Sequence, residues 1–165
     1  MALAAALVPE FDYEMTNTRK ALERVPEDKF GWKPHETSGS MIWLAGHVAN
    51  IPGYASLILG TDSFDTATAG SPPPEPKTRK ELLDIFDENV KKTRAELQSA
   101  TDEQLLKTWS LKAGERTFFT QPRIGVLRGM ILNHLIHHRG QLTVYLRMNN
   151  VPVPAIYGPS GDEQI

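Results

Sequence analysis

Residues 127–150 read LRGMILNHLIHHRGQLTVYLRMNN, and this stretch decides the fold. On a wheel advancing about 100° per residue from Leu127, Tyr145 returns to about 0°, Ile131 falls at about 40° and Leu142 at about 60°. On the same wheel His134 falls at about −20°, His138 at about 20° and His137 at about −80°. The segment therefore predicts a helix whose apolar stripe carries two histidines one turn apart, with His137 at the stripe's edge. Pro152 and Pro154 stop it after Asn149-Asn150. Two imidazoles at i and i+4 on one face can share a metal ion. Leu135 follows His134 where the helical metalloprotease motif needs Glu, so this pair is not that motif.

Working outward, Ser38-Gly39-Ser40 offers an N-cap for an earlier helix with the stripe Leu44, His47, Val48, Ile51, Ala55 and Ile58. Pro52 lies inside that pattern and predicts a kink between Val48 and Pro52, because proline cannot donate to the carbonyl four residues back. Leu7, Phe11, Met15, Thr18, Leu22 and Val25 form another amphipathic face. Thr78 with Glu81 reads as a capping box before a helix carrying Leu82, Phe86, Val90 and Leu97, and Thr101 with Gln104 repeats the signal. Residues 60–76, with Pro72-Pro73-Pro74-Glu75-Pro76, read as an extended linker. Residues 107–120 predict a short β-hairpin between the third and fourth helices, with Trp109, Phe118 and Phe119 as core or lid. Pro122 suits the first turn of the fourth helix. The tail from Val151 lies along the surface. These elements predict an all-α, four-helix bundle forming one domain over 1–165.

His47 lies on the inner stripe of the second helix. With His134 and His138 it supplies three nitrogen ligands for one divalent metal ion and leaves a position open, the pattern of catalytic rather than structural sites. Hydrogen-bonded packing histidines are the plainer alternative. Burying three imidazoles without partners is costly, and a metal offsets that cost. Trp43, one turn before His47, is a candidate pocket wall or an ordinary core aromatic. Gln141, one turn after His138, and His137 at the rim are candidates to contact the ligand rings. Arg139 points toward the flank, where it pairs with a carboxylate or holds the tail. Glu10, Asp12 and Glu14 read as the solvated edge of the first helix, and no buried carboxylate offers itself as a general base. His35, in a connector, has no assigned role.

The composition narrows the function classes. The chain has 165 residues, 18 Lys and Arg against 20 Asp and Glu, and no cysteine. No thiolate ligand, disulfide or cysteine nucleophile is available. The basic residues form no face, so no nucleic-acid partner is expected. The apolar run Ala2–Val8 is short and lacks a preceding basic residue, unlike a secretory signal. No later run reaches the roughly 18–20 apolar residues of a membrane span. A cytoplasmic protein without a membrane partner is expected. Leu132, Ile136, Val144 and Leu146, outside the narrow stripe, predict self-association as a homodimer.

HLIHHRGQLTVYLRMNNVPVPAIYGPSGDE resembles the C-terminal signature of the DinB-like superfamily, through His137-His138-Arg139-Gly140-Gln141, Asn150-Val151-Pro152 and Tyr157-Gly158-Pro159. SMIWLAGHVANI resembles the family segment that supplies the first ligand, and Pro52 departs from the pattern. The resemblance implies a four-helix bundle with a three-histidine metal site at His47, His134 and His138. Zinc and nickel suit such imidazole sites, as do iron and manganese. It further implies a metal-dependent thiol S-transferase or thiol-dependent isomerase, using a low-molecular-weight thiol such as bacillithiol or mycothiol on a small electrophile. The alternatives are a non-catalytic, metal-stabilised stress-response protein and a metal-dependent hydrolase.

Overall fold

The computed structural model describes residues 3–164; Met1, Ala2 and Ile165, the ends of the expected domain, lie outside the described residues. The helices are α1 (Leu3–Glu23), α2 (Met41–Asn50), α3 (Tyr54–Gly60), α4 (Arg79–Ser99), α5 (Asp102–Leu106), α6 (Arg123–Leu127) and α7 (His134–Met148). Helix α1 packs on α4 and α7, and α2 packs on the same two. All six residues of the predicted first stripe are buried, as are Leu82, Phe86 and Leu97 of α4. Thr78 caps α4, its hydroxyl accepting from the Glu81 N–H at 3.1 Å.

The chain is mostly helical but not all-α. Strands β1 (Ser63–Asp65), β2 (Thr108–Ala113) and β3 (Arg116–Pro122) form a sheet in the order β1-β2-β3. The predicted hairpin is β2–β3, antiparallel, turning at Gly114 with φ of 60°. Strand β1 pairs in parallel with β2 inside the segment expected to be linker. Its three residues are too few to show a period of two, so only tertiary pairing reveals it. Asp65 ties the strand's end to the hairpin, accepting from the Gly114 and Ala67 N–H groups at 2.9 Å each. Trp109 is fully buried in the core, whereas Phe118 is exposed beneath Arg116.

Two of the expected four rods are broken, the first at the kink predicted from Pro52 and the second at a point the sequence pattern did not show. Pro52 ends α2 in a 3-10 turn, Ile51–Gly53, before α3 begins. Side chains of α4 satisfy carbonyls at this break: Asn89 donates to Ala49 O at 3.0 Å and Thr93 to Pro52 O at 2.7 Å. The break is thus a built feature, paired rather than strained. The segment Met41–Gly60 is apolar and long enough to cross a membrane, with a mean hydropathy of 1.2, but 61% of it is buried in the fold. That share makes it a core segment here.

The last rod is interrupted by a π-helical stretch, Arg128–Asn133, where the His134 N–H reaches the Gly129 carbonyl five residues back. A π turn holds more residues per turn than α, so every later side chain is rotated relative to a uniform wheel. Adjacent Ile131 and Leu132 are both buried, which marks the phase change. Beyond it the buried stripe is Leu135, Arg139, Leu142 and Leu146. The wheel drawn from Leu127 set His134 and His138 at the stripe's centre; they are instead half-buried at its edge. The same rotation brings Arg139, expected on the flank, into the core.

Leu132 and Leu146 are 2% and 0% exposed, so they are covered by their own chain and give no motive for a dimer. Val144 and Met148 remain exposed on α7, at 56% and 55%. We propose that a homodimer buries this face; light scattering at micromolar protein checks it, and monomer mass alone would remove it.

Helix α7 ends where the sequence placed it. Asn150 adopts φ of 58°, and Val151 N–H donates to Leu146 O while Asn150 N–H donates to Arg147 O. These two bonds are a Schellman closure. The tail then folds back along the surface, pairing Asp162 with Arg147 and Glu163 with Arg24.

Candidate metal centre

His47, His134 and His138 converge between α2 and α7. One ring nitrogen of each lies within 4.8 Å of the other two. His47 Nε2 and His134 Nε2 are 3.2 Å apart. Two nitrogens bound tetrahedrally at zinc–nitrogen lengths of about 2.0–2.1 Å would sit about 3.3 Å apart. The spacing therefore suits one shared ion.

The outer ring atoms are already oriented. His134 Nδ1 lies 3.3 Å from Met130 O, and His138 Nδ1 lies 2.7 Å from Gln141 Oε1. With Nδ1–H donating to these oxygens, each Nε2 keeps its lone pair for the shared centre. Gln141 is thus in contact with the His138 ring. Trp43, 48% exposed, stacks on His47 with centroids 5.6 Å apart and planes 16° apart. It shields one face of that ring and lines the adjoining cleft. His137 is exposed, edge-on to His138 at 4.9 Å, and does not join the nitrogen cluster. His35 is also exposed, bonded to Thr37.

The three rings are held neutral, as metal ligands must be. Burial pushes His47 down to about 4, helped by the neighbouring His138 and His134. Burial is also the main cause pushing His134 and His138 below the ordinary range. Folded-state values below the unfolded value of 6.5 mean that the unfolded chain binds more protons in between. Stability from the neutral rings is complete above pH 6.5 and is lost as pH falls toward 4. Urea midpoints of the metal-free protein should drop between pH 6.5 and 5, and a His47→Gln variant should show a flatter slope. Parallel slopes would show that His47 does not titrate this way. Protons compete for the same nitrogens, so bound metal should be released over the same window.

The proline-rich strap closes over α2 beside His47. Pro76 is buried, and a Cβ on Gly46 would stand 3.2 Å from its Cδ. Gly46, one residue before His47, is what admits so close an approach. Trp43, His47, Asn50 and Tyr54 face the strap residues Pro72–Pro76 across the cleft.

Sequence reasoning missed a second polar centre. Glu14, expected at the solvated edge, is 5% exposed and pairs with Arg139, 2% exposed, at 2.8 Å. Tyr157 OH donates to the Glu14 carboxylate at 2.8 Å and accepts from Arg139 Nη2 at 2.7 Å. Arg139 also donates to Glu14 O and Thr18 Oγ1. Its pairing with a carboxylate and with the tail is as read from the sequence; its burial is not. Glu14 lies between Phe11 and Thr18 in the stripe's own register, and that spacing was the available signal. Asp12 pairs with Arg94, and Glu10 with Arg128.

In this mostly helical fold three histidines from two helices converge closely enough that they could hold a metal ion between them. The family model of the DinB superfamily matches residues 10–142. The chain belongs to that superfamily. It is similar to the uncharacterised protein YjoA of Bacillus subtilis (strain 168), at 26% identity over 93% of this chain and 96% of that one. A shorter match, 46% identical over 39 residues, joins it to the uncharacterised protein YrdA of the same organism and spans 24% of this chain and 23% of YrdA. Among solved structures, a DinB-like protein from Bacillus cereus ATCC 10987 superposes with a TM-score of 0.73 at 22% identity, covering 94% of this chain and 98% of that one. The crystal structure of YjoA superposes at 0.70 and 24% identity, covering 90% and 96%. These likenesses show the fold.

Proposed function

We propose that this chain binds one divalent ion through His47, His134 and His138 and acts as a thiol S-transferase, or thiol-dependent isomerase, on small electrophiles. The observation that carries the reading is the convergence of three neutral ring nitrogens, two of them pre-oriented through Nδ1, in a chain with no cysteine. Zinc or nickel suits the all-imidazole set, with iron and manganese as further occupants. An ion with an open position supplies Lewis acidity, which lowers the pKa of a thiol so that thiolate exists at neutral pH. With no thiol of its own, the protein takes an exogenous low-molecular-weight thiol as cosubstrate. The chain's residues do the positioning. Met130 O and Gln141 fix two rings, Trp43 covers the third, and the Pro72–Pro76 strap narrows the approach. The reading places the protein in the cytoplasm, without nucleic acid as partner.

Cobalt substitution tests this. Titrating the cobalt-loaded protein with bacillithiol, mycothiol and glutathione should produce a sulfur-to-metal charge-transfer band with at least one of them. The His47→Ala variant should bind that thiol much more weakly. If none of the three changes the spectrum, transfer fails and metal-activated water, or a purely structural ion, takes its place. Equal thiol binding by His47→Ala would show that sulfur is not held at this centre.

A further inference from the structure

Next to the metal cleft lies a second chamber of about 370 Å³. That lies within the range of roughly 300–1,000 Å³ typical of small-molecule sites. Leu57 and Ile58 of α3, Phe64 of β1, Trp109 of β2 and Met130 wall it, and the exposed strap from Ala69 to Pro73 borders its open side. Tyr54, Pro72 and Pro73 line both this chamber and the cleft beside His47, so they form the partition between them. Met130 joins the chamber to the centre in another way: its carbonyl is the partner of His134 Nδ1.

Three features say what the chamber takes. Among the described residues no charged side chain lines it, so a charged ligand would be desolvated there without a partner. The Trp109 indole N–H is already used, donating to Thr61 at 3.2 Å. The Tyr54 hydroxyl is different: it has no hydrogen-bond partner among the described residues, and burial alone pushes its pKa up. Tyr54 lines both the apolar chamber and the metal cleft, so its hydroxyl is a donor available to a ligand there. The Pro52 break places it there, because α3 starts at Tyr54 directly after the 3-10 turn. The chamber is also preformed. Asp65 holds the β1 end of the strap to the hairpin, and Pro76 seats the other end on Gly46.

We propose that this chamber binds the carbon skeleton of a neutral, apolar carbonyl compound, with its oxygen bonded to Tyr54 and its reactive carbon toward the metal cleft. The substrate class rests on the thiol-transfer reading above: an α,β-unsaturated ketone or aldehyde. The exogenous thiolate forms a C–S bond at the β-carbon, and the C=C electron pair moves onto the carbonyl oxygen. Tyr54 stabilises that enolate oxygen by hydrogen bonding. A proton from water, equivalent to the one the thiol lost, returns to the α-carbon, and nothing is oxidised or reduced. Tyr54 is thereby assigned as a catalytic residue, and Leu57, Phe64 and Ala69 as selectors of ligand shape.

The test is binding of the unreactive saturated analogue 4-phenylbutan-2-one to the metal-loaded full chain, by calorimetry and without thiol. Saturable binding is expected. Ala69→Trp, a change in the exposed strap, and Leu57→Trp should each abolish it while circular dichroism and metal content stay unchanged. Tyr54→Phe should weaken it about 2- to 10-fold, the loss of one hydrogen bond. 3-Phenylpropanoate, of similar shape but charged, should bind more weakly than the ketone. Absence of saturable ketone binding, undiminished binding in both tryptophan variants, or preference for the carboxylate would each overturn the assignment. Because no thiol is present, this result is independent of the cobalt titration. Ketone binding with no thiol at the metal removes the transfer reading and leaves a ligand chamber; thiol at the metal with no ketone binding removes the chamber's role.

Discussion

Replacing His134 or His138 with alanine should take metal content from about one ion per chain to none, as measured by elemental analysis of protein prepared without chelator or nickel resin. Four-ligand structural zinc sites are worth roughly 10–16 kcal/mol at neutral pH, so each nitrogen carries on the order of 3 kcal/mol, or about a hundredfold in affinity. A three-nitrogen site has no ligand to spare. His47→Ala should behave in the same way, since its Nε2 stands 3.2 Å from that of His134. Gln141→Ala removes only the acceptor at His138 Nδ1, and such outer contacts are worth about 10–100-fold. His35→Ala should keep its metal, because that ring is exposed and, among the described residues, bonds only Thr37. Equal retention across His134→Ala, His138→Ala and His35→Ala would show that the ion sits elsewhere.

The largest loss of stability should come from Arg139→Ala. The change strands the Glu14 carboxylate in a site that is 5% exposed, with Tyr157 as its remaining side-chain partner. Removing one member of a buried ion pair costs about 3–5 kcal/mol, because the other charge stays desolvated. For a chain of this size that is roughly a 10–15 °C fall in melting temperature. The double variant Arg139→Met with Glu14→Leu should recover much of the loss, because it removes both charges and fills the space. A melting temperature within a degree or two of the parent for Arg139→Ala would show that the pair is not buried in solution. The same charge cluster anchors the C-terminal tail through Tyr157, so Arg139→Ala should also increase proteolysis after Asn150.

The sequence by itself determined most of the apolar residues that line the core of α1 and α4, where α7 stops, the β2–β3 hairpin and the three histidines. Each rests on a short-range rule. Leu7 to Val25 obey the 3.6-residue period, Asn150 takes the left-handed cap, Gly114 takes the turn, and His134 and His138 lie one turn apart whatever surrounds them. His47 was legible because it falls between Leu44 and Ile51 in the same stripe.

Tertiary structure decided the rest, and the reason in each case is that the partner is far away along the chain. Strand β1 exists because β2, nearly fifty residues on, offers it a ladder. The burial of Glu14 depends on Arg139, and that of Arg139 depends on a π turn that no wheel of constant pitch contains. The turn rotates α7 so that its histidines leave the core and meet His47 at the bundle's edge, beside the strap and the cleft. Local periodicity can name the histidines; only the packed chain sets the phase that aims them, because a single extra residue in a helical turn reorients everything after it.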